Sequence, residues 1–334
     1  MMTHRRLWAA MAGFAALCAA GIAPAIALDH VVLGTDWRAE AEHGGYYQAL
    51  ATGIYRKYGI ELELRQGGPQ MNQSQLLAAG RLDFLVVSNS FLPLNFQKQR
   101  IPMVAVAAFF QKDPTVLIAH REAGYRGFAD LKGKPIMLGA DTRASWWPFL
   151  KNRFGYADDQ LRPYTFNVAP FLANPRAVQQ GYLTSEPFLI EQAGGKPQVF
   201  LLADSGYASY GSIVETSRKL IEANPDLAQR FVNASIEGWY GYLYGDNSAA
   251  NALIKRDNPE ESDILLGYAL AKMKEFGVVD SGDAKTLGIG AMTDARWQSF
   301  FDAMSRAGLY PRDMAYRQAY TLRFVDRGLG LKPR

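Results

Sequence analysis

Apolar and polar positions change period several times along this chain, and each change marks an element. In Ile60-Glu61-Leu62-Glu63-Leu64-Arg65, apolar residues alternate with charges, the period of a half-buried strand. Just before it, Tyr47, Leu50, Ala51, Ile54 and Tyr58 recur at helical spacing, which predicts a helix with one apolar face ending at Gly59. On that face the adjacent Tyr46 and Tyr47 cannot both point inward, so one of them is expected to border a cleft. After the strand, Gly67-Gly68-Pro69 is a breaker, and Asn72 is an N-cap with Gln75 three residues on. Gly80 closes the short helix that follows. Phe84-Leu85-Val86-Val87 is then a continuous apolar run, suited to a central parallel strand, and it ends in Ser88-Asn89. With Val31-Val32-Leu33 as the first strand, the order is strand, helix, strand, helix, strand. That order predicts an α/β sheet with crossover helices.

The alternation is then repeated. A helix over 91–99 and a strand over 104–110 precede Gln111-Lys112-Asp113-Pro114, and a new apolar strand over 115–119 follows. Further strands are expected at 136–138, 164–166 and 199–202, with a helix over 144–154, a polar helix around 176–181 and a loop or helix start at 184–187. Residues 209–215 read as a strand returning to the first unit. Beyond them the pattern is helical, with Leu227, Phe231, Ile236, Trp239 and Leu243 in one helix, a second over 264–276, and Trp297, Phe300, Phe301 and Met304 in a third capped by Thr293. A chain of 334 residues exceeds what one core usually serves. The expected organisation is therefore two α/β lobes, 28–112 with 205–334 and, inserted between them, 113–204. Two strands form the hinge and the C-terminal helices lie on the first lobe. Ligands of such sheets sit beyond the carboxyl ends of the strands.

Composition narrows the function. Arg5-Arg6, an Ala-rich apolar run and Ala25-Ile26-Ala27 have the three parts of a secretory leader, so residues 1–27 are expected to be removed on export to the periplasm. Gly21 and Pro24 interrupt a run already short for a bilayer span of about 20 residues. The leader holds the only cysteine, Cys18, which leaves residues 28–334 without disulfide or thiol chemistry. It also holds Arg5 and Arg6, so the formal charge of +4 falls to near balance. The basic residues are scattered, which argues against a nucleic-acid partner.

Several stretches resemble the periplasmic solute-binding proteins of ABC importers, in the NMT1/THI5-like group that also contains sulfonate-, taurine- and nitrate-binding relatives. They are Asp36-Trp37, the run 43–49 (HGGYYQA), Gly53-Ile54-Tyr55, Tyr58-Gly59-Ile60 and the run 77–84 (LAAGRLDF). Thr184-Ser185-Glu186-Pro187, Tyr210-Gly211-Ser212 and residues 231–239 extend the likeness over the remainder of 28–334. The resemblance implies a two-lobed type II clamshell that works as a monomer, closes on a small solute and delivers it unchanged to an inner-membrane permease. The 67–70 turn and the aromatic-rich edge look closest to binders of a thiamine pyrimidine precursor. A sulfonate, a nitrate or an aromatic carboxylate is the alternative ligand, and Arg38, Arg65 and Arg143 are the cations such an anion would need.

The candidate ligand-binding residues follow from the strand ends. Trp37 is a stacking wall or a core residue, and Glu42 and His43 are polar contacts or solvent-facing loop residues. Gly44 and Gly45 would let a ligand reach free helix N–H groups, or they simply form a tight turn. Gly67, Gly68 and Asn72 lie at the end of the second strand, where helix capping competes with binding, and Ser88 and Asn89 lie at the end of the third. From the second lobe, Trp146 and Trp147 would close over a ring, with at least one of them in the core. Glu186 would accept from an amino group, and Asp204 and Tyr207 lie near the second crossover. No G-x-S-x-G elbow, H-E-x-x-H pair or Walker loop is present, and residues 28–334 hold only His30, His43 and His120. The expectation is a receptor without catalytic residues, metal or cofactor. The remoter alternative is an enzyme like the eukaryotic pyrimidine synthase of the same family name.

Overall fold

The computed structural model describes residues 28–68, 71–139, 142–143, 145–164 and 167–331; the expected leader, 1–27, lies outside them. Two five-stranded sheets organise the chain. The first has the order β2-β1-β3-β10-β4, built from β1 (Asp29–Thr35), β2 (Ile60–Arg65), β3 (Phe84–Val87), β4 (Met103–Phe110) and β10 (Gly211–Ser217). β1 pairs in parallel with β2 and β3, while β10 runs antiparallel between β3 and β4. The second has the order β7-β6-β8-β5-β9, built from β5 (Thr115–His120), β6 (Ile136–Leu138), β7 (Leu161–Pro163), β8 (Val178–Tyr182) and β9 (Pro197–Leu201). The chain passes between the sheets through 111–114 and 202–210, so the architecture is two α/β lobes.

The helices are α1 (Gly44–Ala51), α2 (Ile54–Lys57), α3 (Gln73–Ala78), α4 (Phe91–Lys98), α5 (Trp147–Phe154), α6 (Ala169–Leu172) and α7 (Glu186–Gln192). They continue with α8 (Arg218–Ala223), α9 (Pro225–Tyr244), α10 (Ser248–Asp257), α11 (Asp263–Glu275), α12 (Ala284–Leu287) and α13 (Asp294–Arg306). The long helix α9 starts where Asn224 accepts from the Leu227 amide and Pro225 fills the first turn. Its buried stripe lies on the first lobe: Phe231 stacks on Phe84 with ring centroids 3.9 Å apart, and Trp239 meets Tyr46, Phe109 and Phe110. Strand alternation divides the second sheet between two cores. Leu117 and Ala119 face the large core shared with the first lobe, whereas Val116 and Ile118 face a smaller one with Met137, Phe171 and Ile190.

Four expectations are corrected. The helix expected through Tyr58 is split between α1 and α2 at Gly53, whose φ of +75° ends the first segment. The polar stretch 176–181 is not a helix but the central strand β8, because β5 and β6 flank it and use its backbone groups. Its polar side chains are accommodated inside: Gln180 accepts from the Gly139 amide, and Gln179 is fully buried. The strand expected at 164–166 is β7, three residues earlier, with Thr165 and Phe166 outside the described residues. The helix expected from Ala144, itself outside them, is α5 and starts at Trp147. Among the described residues no helix is long and apolar enough to cross a membrane.

Candidate functional site

The carboxyl ends of β1 and β3 in the first lobe face the end of β8 and the start of α7 in the second, and the two lobes touch there. β1 runs out at Thr35 into Asp36, and β3 runs out at Val87 into Ser88. The Ser88 hydroxyl donates to Asp36 Oδ2, and His43 Nε2 lies 3.6 Å from Asp36 Oδ1. His43 is almost wholly buried, and its Nδ1 has no partner among the described residues. Next to it, Glu42 Oε1 accepts from the Thr184 hydroxyl, a direct bond from one lobe to the other. Glu186, at the first turn of α7, accepts from the Tyr164 hydroxyl (3.0 Å) and from the Tyr182 amide (2.7 Å). Phe188 of α7 meets the Tyr268 ring of α11 across the same seam, centroids 5.2 Å apart.

Five carboxylates therefore converge: Asp36, Glu40, Glu42, Glu186 and Glu261. Burial raises Glu40 well above the ordinary carboxylate range, and its neighbours Glu42, Glu261, Glu186 and Asp36 raise it further. Glu42 and Glu186 are likewise raised by burial, in part offset by the hydrogen bonds they accept. Glu261 is pushed up to about 8, first by burial and then by Glu42 and Glu260. The candidate cations do not answer them. Arg38 reaches Glu260 (2.7 Å), Arg65 reaches Glu63 (2.6 Å), and Arg143 is exposed with Nη2 3.5 Å from the Leu138 carbonyl. Such a crevice favours a cation or a molecule rich in N–H donors and disfavours an anion.

A pH dependence follows. A carboxylate whose pKa is raised by folding binds protons that the unfolded chain has already lost, so stability falls as pH rises between the two values. Without ligand, the melting temperature should decline from about pH 4.5, near the ordinary carboxylate value, to about pH 8, where Glu261 titrates. The double variant E42Q/E261Q should flatten the decline. A profile that rises over this window in the unsubstituted protein would contradict the grouping of charges.

Tyr46 and Tyr47 are both fully buried, against the expectation that one borders a cleft. The cause is that α1 is enclosed on two sides: the Tyr46 hydroxyl meets Ser212 on β10 (3.2 Å), and the Tyr47 hydroxyl donates to Asp257 on α10 (3.0 Å). Gly44 and Gly45 face α9; a Cβ on either would come within 2.2 Å of the Tyr242 or Trp239 ring, so helix contact is what they serve. Gly67 lets its backbone pass Thr35, where a Cβ would stand 2.3 Å from the carbonyl oxygen, while Gly68 has no such neighbour. Asn72 caps α3, and Asn89 accepts from the Phe91 amide at the start of α4. Trp37 is half-buried directly after β1. Trp146 and Trp147 are both buried, and the Trp147 indole donates to Asp158 (2.8 Å) beside the Tyr156 ring. Asp204 is on the crossover, 3.6 Å from Lys112, and does not join the carboxylate group. Asp36, Glu40, Thr184, Tyr182 and Glu261 were missed as site residues. For Asp36 and Thr184 the signal was their place at strand ends, whereas Glu261 lies far along the chain with none.

The sequence model of the family described as "NMT1/THI5 like" matches residues 40–247. The riboflavin-binding protein RibY of Chloroflexus aurantiacus is 23% identical over 308 residues, spanning 90% of this chain and 87% of its own. The formylaminopyrimidine-binding protein of Halalkalibacterium halodurans is 22% identical over 248 residues, 72% of this chain and 74% of its own. Among solved structures, the periplasmic aliphatic sulphonate-binding protein SsuA of Escherichia coli aligns with a TM-score of 0.65 at 14% identity, over 87% of this chain and 91% of that one. The desulfurization enzyme DSZB aligns with a TM-score of 0.57 at 13% identity, over 90% and 99%. These alignments show that the two α/β lobes have the periplasmic-binding-protein fold, which here hosts both receptors and an enzyme.

Proposed function

The chain belongs to the NMT1/THI5-like family, and on that premise we propose that it is the solute-binding component of an ABC importer. It is exported to the periplasm, is monomeric, and delivers its ligand unchanged to a membrane permease. The ligand is a small flat heterocycle carrying amino groups, such as a thiamine pyrimidine precursor. One observation carries this reading: the convergence of Asp36, Glu40, Glu42, Glu186 and Glu261 at the strand ends, with Glu42 bonded to Thr184 across the seam. Glu40, Glu42, Glu186 and Glu261, raised by burial, gain most from a donor that lets them ionise, and an exocyclic amine is such a donor. A sulfonate, nitrate or aromatic carboxylate would meet these groups with Arg38 and Arg65 already paired to Glu260 and Glu63. A flavin is the second reading, favoured by the RibY match along nearly the whole chain.

Transport without chemistry agrees with the geometry of the serine–histidine–aspartate grouping formed by Ser88, His43 and Asp36. Ser88 donates to Asp36, and so does not present its proton to His43 as a nucleophile would to a base. Calorimetric titration with formylaminopyrimidine, riboflavin and an alkanesulfonate tests the reading. Tight binding of the aminopyrimidine with no heat from the sulfonate is expected. Sulfonate binding, or turnover of any of the three, would overturn it.

A further inference from the structure

Behind the crossovers, away from the carboxylate crevice, the fold leaves a cavity of about 930 Å³. Its walls come from four places, one of them Gly330 and Leu331 at the end of the described residues. Gln111 and Lys112 belong to the first crossover, Tyr207 and Ala208 to the second, and Lys274, Gly282, Lys285 and Arg296 to the segment from the end of α11 to α13. Four cations line it, Lys112, Lys274, Lys285 and Arg296, against two acids, Glu275 and Asp280. Both acids have partners: Glu275 pairs with Lys272 at 2.8 Å, and Asp280 accepts from the Tyr244 hydroxyl. Lys112 is held 3.6 Å from Asp204. For Lys274 and Lys285 no ion pair is present among the described residues.

At the floor of the cavity the Arg296 guanidinium stacks on the Tyr210 ring, 4.1 Å from its centroid, and is only partly engaged. Arg296 uses Nε and Nη2 on the carbonyls of Ala208 (3.1 Å), Ser209 (2.8 Å) and Gln111, and so ties both crossovers to α13. Its Nη1 makes no hydrogen bond among the described residues and points toward exposed Gly282, 3.5 Å from where a Cβ would stand. Gln111 Oε1 lies at the same 3.5 Å from that point. A cavity of this size suits a small molecule, and an excess of cations in a concave wall concentrates anions.

We propose that this cavity is a second binding site, for a small organic or inorganic anion, with Lys274 and Lys285 at its mouth and Arg296 Nη1 at its floor. Because its walls include both crossovers, an anion bound there is linked to the relative position of the lobes, and by reciprocity to the crevice on the other side. The proposal does not depend on what the crevice binds.

Calorimetry of the unliganded protein with citrate, and separately with inorganic phosphate, provides the test. Saturable binding of at least one anion is expected, weakened at least tenfold in K274E/K285E. Both lysines are exposed, so the variant should fold, which its circular dichroism would verify. The comparison variant K151E, at an ion pair on α5, should bind as the unsubstituted protein does. Absence of saturable heat with both anions would overturn the proposal, as would equal affinity in K274E/K285E.

Discussion

Gly45→Val is expected to leave little folded protein, and Gly45→Ala to lower stability by about 1–3 kcal/mol or more, the usual cost of inserting carbon into a packed core. The Cβ of either residue would fall 2.2 Å from Trp239 Cγ, well inside any permitted contact. The ring has nowhere to go. It is wholly buried, and it lies edge-on to Tyr46, Phe110 and Tyr242 and stacked on Phe109. Backing away is blocked from the other side as well, since a Cβ on Gly238 of α9 would come within 2.3 Å of the Gly45 carbonyl oxygen. The two helices are thus in backbone contact through paired glycines. Thermal melting of the unliganded variants is the measurement. If Gly45→Ala melted with the parent and lost only ligand affinity, the glycine would be serving a ligand and the packing account would fail.

The same pair of glycines shows which parts of this molecule can be read from its residues. A breaker, an alternation and a cap are local signals, and so the strand Ile60–Arg65, the Asn72 cap and the Thr293 cap stand where the pattern put them. Gly44-Gly45 carries no such address. A glycine pair before a helix looks alike whether a ligand or a tryptophan approaches it, and Trp239 is nearly two hundred residues away. Tyr46 and Tyr47 failed for a related reason. The rule that adjacent helix positions diverge holds, but here both directions lead into protein. β8 was misread because Gln179 and Gln180 look solvated until two flanking strands are in place. In the crevice, Glu42, His43, Ser88 and Glu186 can be picked out as candidates because each is a polar residue at a strand end or helix start. Glu40 and Glu261 acquire meaning only through the charges folding sets beside them.

Thr184→Val should weaken ligand capture by about ten- to hundredfold, the equivalent of the roughly 1.5–3 kcal/mol assigned to a hydrogen bond on a charged group. Thr184 belongs to the second lobe and Glu42 to the first, and their bond exists only while the lobes touch. With the lobes apart, water satisfies both groups, so the bond contributes to the closed form alone. A bond made only in the closed form raises the population of that form, and with it the apparent affinity of a ligand that binds there. Valine preserves the branched shape and removes the donor, leaving a buried carboxylate oxygen unpaired on closure. Thr184→Ser returns the hydroxyl and should restore most of the affinity. The unliganded melting temperature should move little between the two variants, because the change falls at the seam and not in either lobe's core. Equal affinities for Thr184→Val and Thr184→Ser, measured with whichever of formylaminopyrimidine or riboflavin binds the parent, would show that the hydroxyl does not act as a latch. Closure would then be assigned to the apolar contact of Phe188 with Tyr268, where Tyr268→Ala should show the loss instead.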